Sequence, residues 1–195
     1  KVLSTPFVTE VHPKTGDLFI VSENGNEIHA YNYKGSNPKF IFQINSSNGF
    51  TFINNIKFDS SNNLIIIGKT SDPNLATPNA YIQKPLQTTY YGYPFIAKIN
   101  PNGMLNWFSY FHEIPQESNP LAVDKDNNIY ILNKRSKTDV LTSSSFQITG
   151  DQNSNIKNQD VITKLNSAGA HIWSTFYAKD DSKINAIAAS SQGLF

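Results

Sequence analysis

The chain has 195 residues, with 16 Lys and Arg against 15 Asp and Glu for a formal net charge of +1. That balance excludes the basic footprint of a nucleic-acid binder and gives a charged membrane surface nothing to hold, and no apolar run is long enough to insert into a bilayer. The absence of Cys excludes disulfides, thiolate nucleophiles and Cys-ligated zinc together. It fits a secreted bacterial protein of moderate size as well as many cytosolic ones.

Taken from the N-terminus, the predicted elements are all short strands. Val11 ends the first, the turn His12-Pro13-Lys14-Thr15-Gly16-Asp17 follows, and residues 18–21 form the second. Residues 28–31 form a third, closed by Asn32-Tyr33-Lys34-Gly35, and Phe40-Ile41-Phe42 a fourth. The next group begins with a strand ending near Phe58 and the polar turn Asp59-Ser60-Ser61-Asn62-Asn63. Strand 64–67, a polar connection over 69–94, strand 95–99, the turn Asn100-Pro101-Asn102-Gly103 and a strand carrying Trp107 complete it. A third group repeats this order. Val123 precedes Asp124-Lys125-Asp126-Asn127-Asn128, strand 129–132, a connection over 133–160, strand 161–165, Asn166-Ser167-Ala168-Gly169 and a strand with Trp173. The pattern starts again at Ile187 and reaches Leu194 inside its second strand. Short apolar runs punctuated by Asn, Asp and Gly are strand and hairpin signals, and no window sustains a helical period.

The spacing is regular. Leu64, Ile129 and Leu194 are 65 residues apart, and Lys98, Gly103 and Trp107 recur 66 residues on as Lys164, Gly169 and Trp173. The first copy lacks most of the long connection, so Leu18 precedes Leu64 by only 46. Four antiparallel strands per repeat, with repeats in tandem, make a blade. The fold class expected is therefore all-β: a β-propeller fragment of about three four-stranded blades plus part of a fourth. One domain spans 1–195, with repeats at 7–50, 51–115, 116–181 and 182–195. An unclosed stack exposes strand edges, so the remaining blades of a longer protein, or a second copy, are expected to cover them.

Candidate chemistry is sparse. Asp124, Asp126 and Asn128 alternate like the start of a calcium loop, but the required Gly and the distal Glu are missing, and a side-chain-latched hairpin turn is the favoured reading. The four His, at 12, 29, 112 and 171, form no metal-ligating pair, and no nucleophile elbow or phosphate loop is present. Glu113 and Glu117 read as solvated. Trp107 and Trp173 recur once per blade, which suits packing between blades better than sugar stacking. Lys98 and Lys164 read as structural, snorkelling or paired with an acidic group of the neighbouring blade. Tyr90, Tyr91 and Tyr93 differ: they cluster in a connection with no aromatic counterpart in the next repeat. They are the candidate ligand-binding residues, weighed against a loop that merely anchors itself. Asn45-Ser46-Ser47 is a glycosylation sequon.

These residues resemble the bacterial β-propeller repeat family called SBBP. The resemblance rests on Asp59, Asn63 and the run through Gly68-Lys69-Thr70, on Thr77-Pro78-Asn79-Ala80-Tyr81, on Phe95-Ile96-Ala97-Lys98-Ile99-Asn100, and on Trp107 with Tyr110-Phe111. In the next blade it continues through Asp124, Asn128-Ile129-Tyr130-Ile131, Ser145-Phe146-Gln147, Asp160 to Asn166, and Trp173-Ser174-Thr175-Phe176-Tyr177. It covers residues 50–195 well and 7–50 weakly. Tyr93-Pro94 stands where the family has an acidic residue, and Asn133 where it has the glycine matching Gly68. The resemblance implies a secreted or cell-surface setting in Bacteroidota-like bacteria, and it carries no catalytic residue. The expected function is a non-catalytic scaffold for a protein or carbohydrate partner, with no cofactor. A propeller belonging to a secreted hydrolase and a purely structural spacer are the alternatives.

Overall fold

The computed structural model describes residues 8–32, 34, 39–47, 49–85, 92–111, 114–115, 120–134, 160–177, 184–190 and 193–194. Every regular element among them is a strand. The first sheet is the antiparallel meander β1 (Thr9–Val11), β2 (Leu18–Val21), β3 (Glu27–Tyr31) and β4 (Lys39–Gln43). The second is β5 (Thr51–Phe58), β6 (Leu64–Thr70), β7 (Tyr93–Ile99) and β8 (Leu105–Tyr110). In the third, β10 (Leu121–Val123), β11 (Ile129–Lys134), β12 (Asp160–Leu165) and β13 (His171–Tyr177) repeat that order. The two-residue β9 (Ile114–Pro115) pairs with β11, so the end of the 51–115 repeat contributes a strand to the sheet of the next. A hairpin of β14 (Ala189–Ser190) and β15 (Gly193–Leu194) follows. The first two sheets are the four-stranded antiparallel blade that the repeat predicts, and the third is the same four-stranded meander with β9 added. The chain divides into two compact units, 1–110 with the first two sheets and 111–195 with the third sheet and the hairpin.

The turns explain the repeat. Asp59 Oδ1 accepts the amides of Ser61 and Asn63 while Oδ2 accepts the Asn63 side-chain amide, and Asn62 sits at φ 64°. Asp124 does the same with Asp126 and Asn128, with Asn127 at φ 63°. After the third strand, Asn100 and Asn166 each accept two amides, from Asn102 and Met104 and from Ala168 and Ala170. There the left-handed position falls on Gly103 and Gly169. Asn and Gly are the residues that tolerate this backbone at least cost.

Within the first unit the two sheets share one core. Phe19, Val21, Ile28 and Ile44 pack with Ile53, Ile56, Leu64, Ile66, Phe95, Ala97, Ile99, Phe108 and Tyr110. The opposite face of the second sheet, with Ile65, Ile67, Ile96 and Trp107, is buried too. Burial on both faces is why its central strands are continuous apolar runs instead of alternating ones.

The long connection is not a free loop over its described part, 71–85. Thr77 N donates to Phe108 O, Tyr110 N to Ile82 O, and Ile82 N to the Ser109 hydroxyl, so the Thr77–Pro78 element lies along the outer strand β8. The edge that a four-stranded meander would leave open is thereby covered.

In the second unit, Ala122, Tyr130, Leu132 and Ile162 form a cluster against which Trp173, Ile184, Ile187 and Ala189 pack. Trp173 and the segment after the third sheet thus pack on one cluster. Gly68 and its counterpart Asn133 are accommodated differently. A Cβ on Gly68 would meet the Phe52 carbonyl at 2.1 Å and the Phe95 ring at 2.8 Å. Asn133 faces the smaller Val161 in register, wholly buried and with neither side-chain amide atom hydrogen-bonded.

Candidate functional site

The recurrent Lys comes first, because it defines a position in each blade. Lys98 stands opposite Ile65 on one side and Trp107 on the other. Its ammonium meets Asp59 Oδ2 at 2.8 Å with both side chains buried. The partner belongs to the turn of its own blade, so Lys98 is a structural residue that neither snorkels nor takes this carboxylate from a neighbouring blade. Burial alone would raise the Asp59 carboxyl, but hydrogen bonds from Lys98 and Asn63 and the Lys98 charge outweigh it and hold it below the ordinary value of 3.8. Lys164 stands opposite Tyr130 and Trp173. There the larger Tyr130 intervenes: its hydroxyl donates to Asp124 Oδ2 at 3.1 Å, and the Lys164 ammonium lies 5.2 Å from its ring centroid.

Asp124 therefore spends both oxygens on four donors: the amides of Asp126 and Asn128, the Asn128 side chain and Tyr130. Asp126 turns outward to Lys125 at 2.7 Å. The alternation that suggests a calcium loop closes a hairpin in this geometry. Among the described residues no three His, Cys, Asp or Glu side chains gather as a metal set. Of the aromatic candidates, Tyr90 and Tyr91 lie outside the described residues. Tyr93 begins β7, half-buried on the core of the first unit, its ring edge-on to Tyr110 at 6.1 Å.

The first blade breaks the pattern. By strand register, Phe19 and Ala30 correspond to Ile65 and Lys98, and Lys39 to Trp107. His12 replaces the turn Asp: its amide donates to Asp17 O as that of Asp59 does to Asn63 O, and its Nδ1 accepts the amides of Lys14 and Thr15, both at 3.2 Å. An imidazole nitrogen that accepts carries no proton, so the ring proton is on Nε2.

These four residues line one wall of a cleft of about 190 Å³ between the first two sheets. Phe58, Leu64 and Ile99 form the facing wall. The His12 ring meets Phe58 edge-on at 4.7 Å, and Phe19 meets Phe58 edge-on at 4.9 Å. Asp17, Lys39 and Asn62 provide polar groups at the lining. Neither Asp17 nor Lys39 enters an ion pair among the described residues, and Asn62 Oδ1 has no donor. The cleft lies at the edge bearing the β1–β2, β5–β6 and β7–β8 turns, opposite the edge from which the long connection and Tyr93 emerge. The sequence singles out Tyr90, Tyr91 and Tyr93 in that connection because the next repeat has no aromatic counterpart to them, with self-anchoring of the loop as the alternative. The sequence signal for the cleft is the set of substitutions at repeat positions in the divergent first copy.

No protein-family profile and no curated protein matches the chain by sequence. Solved structures do match. One, named as a gluconolactonase candidate, aligns at a TM-score of 0.51 and 12% identity over 95% of this chain and 54% of its own. An auxiliary nutrient binding protein from Bacteroides thetaiotaomicron aligns at 0.38 and 15% identity over 95% of this chain and 43% of its own. Virginiamycin B lyase from Staphylococcus aureus aligns at 0.36 and 13% identity over 100% and 78%. The chain spans about half the length of the first of these. Likeness at this identity shows the fold alone: an incomplete β-propeller of antiparallel four-stranded blades.

Proposed function

We propose that the chain is a non-catalytic binding scaffold, a run of propeller blades that presents a recognition site for a protein or carbohydrate partner in a secreted or cell-surface protein. The observation that carries this reading is the contrast between blades. The second and third blades commit their recurrent Asp and Lys to internal bonds. The first blade replaces them and leaves an open cleft with an apolar floor and uncommitted polar groups at its lining. Small-ligand sites are built this way, from an apolar surface with a few placed polar atoms. The setting outside the cell rests on the repeat resemblance alone.

A glycan array probed with the full chain, together with a pull-down from extracellular matrix and cell-surface extracts, tests the reading. Reproducible, saturable capture of a glycan or a protein is the expected outcome. Silence in both assays would sink the binding role and favour a spacer. Turnover of a captured glycan would instead favour the hydrolase alternative.

A further inference from the structure

We infer that the cleft between the first two blades is a subsite for a single neutral pyranose, an inference that rests on the binding-scaffold reading and gives it a ligand class. The argument starts from what is missing. In the third blade the Lys164 ammonium lies over the Tyr130 ring. In the first blade Phe19 holds the position of that ring and Ala30 that of the Lys. The space a lysine stem would occupy is open, and Lys39 in place of the indole moves further bulk to the rim.

Charge then selects the occupant. A cationic side chain, which the other blades supply from within, would lack the carboxylate that His12 has replaced, and the one that remains, Asp17, shares the lining with the Lys39 ammonium. One carboxylate, Asp17, and one ammonium, Lys39, leave the lining with no net charge from that pair. The polar groups offer both senses of hydrogen bond: the His12 Nε2–H and Lys39 donate, and the Asp17 carboxylate accepts. Phe19 on one wall and Phe58 and Leu64 on the facing one supply apolar surface. Donors and acceptors around an apolar wall match a ring with hydroxyls on its rim and C–H groups on its face. At about 30 Å³ per water, a volume of about 190 Å³ holds about six waters, which is room for one sugar ring within the cleft.

The test titrates D-glucose, D-galactose, D-mannose, L-fucose and N-acetyl-D-glucosamine into the full chain, following the His12, Phe19 and Phe58 ring signals by NMR, with n-butylamine as the cationic control. The variant is Ala30→Lys combined with His12→Asp, which rebuilds the Asp–Lys pair of the second blade and fills the cleft. At least one sugar is expected to bind with millimolar affinity and to shift those rings. The double variant should weaken it by about tenfold or more while keeping the melting temperature of the parent. Asp17→Asn, a rim change that leaves the core alone, should weaken it severalfold and keeps the test decisive if the double variant does not fold. No ring shifts with any of the five sugars, butylamine binding in their place, or sugar binding unchanged in the variants would each overturn the subsite. Glycan-array capture that survives the double variant would overturn the subsite while leaving the scaffold reading intact.

Discussion

The Asp59 carboxylate accepts two backbone amides and one side-chain amide in its own turn and also holds the buried Lys98 ammonium. Removing each partner therefore has unequal consequences. Lys98→Met leaves Asp59 with its turn donors and should cost about 1–3 kcal/mol. Asp59→Ala both opens the turn and strands a buried ammonium, and should cost about 3–5 kcal/mol. Urea denaturation of the two variants checks the order, and equal costs would mean the pair and the turn are not one unit. The same carboxyl carries a pH dependence. Its folded value lies below the ordinary 3.8, as does that of Asp124, so the stabilisation is complete above that pH and is lost as pH falls through the lower folded values. Asp59→Asn should flatten the acid limb of stability against pH.

At the scale of elements, the long connection is tied to the blade by Tyr110, whose hydroxyl donates to Asp72 O at 2.6 Å and accepts the Leu75 amide at 2.8 Å. Burial pushes this phenol up from 10.0 to about 12. The protonated form is the one the fold holds, so its contribution is intact below pH 10 and lost between pH 10 and about 12. Tyr110→Phe should cost about 1–3 kcal/mol at neutral pH, because the Leu75 amide loses its acceptor. It should also remove that alkaline step, and a pH series of thermal melts reads both. The strands, their order and their turns were legible in the sequence, because short apolar runs and Asn, Asp and Gly punctuation are local signals. The partners of Thr77 and Ile82 were not, since those bonds run to backbone and a hydroxyl on β8 about thirty residues away in sequence. The cleft was half legible. His12, Ala30 and Lys39 departing from Asp59, Lys98 and Trp107 is a sequence fact, but only strand register shows that the three departures converge on one wall.

For the molecule as a whole, burial sets a gradient of local stability. Leu64, Ile65, Ile66 and Ile67 of β6 and Phe95, Ile96, Ala97 and Ile99 of β7 are each no more than 2% exposed, on both faces of their sheet. The amides of these two strands are bonded to neighbouring strands on either side. Opening them requires breaking the core that the first and second sheets share, so their exchange with solvent should report the global unfolding free energy of the first unit. In the first sheet, β1 pairs on one edge over only three residues, with Val11 exposed, and the hairpin of β14 and β15 has only two register pairs. Both should open by local fraying, well before their units unfold. Hydrogen exchange followed by mass spectrometry should therefore rank β6 and β7 slowest and the β14–β15 hairpin fastest. Gly68→Ala adds a second reading. Its new methyl presses on the Phe52 carbonyl and the Phe95 ring, and overpacking of this kind costs about 1–3 kcal/mol. That cost should speed exchange throughout β5 to β8 together. Uniform protection across the parent chain, or an effect of the Gly68 substitution confined to its nearest residues, would mean that the blades do not owe their stability to burial against one another.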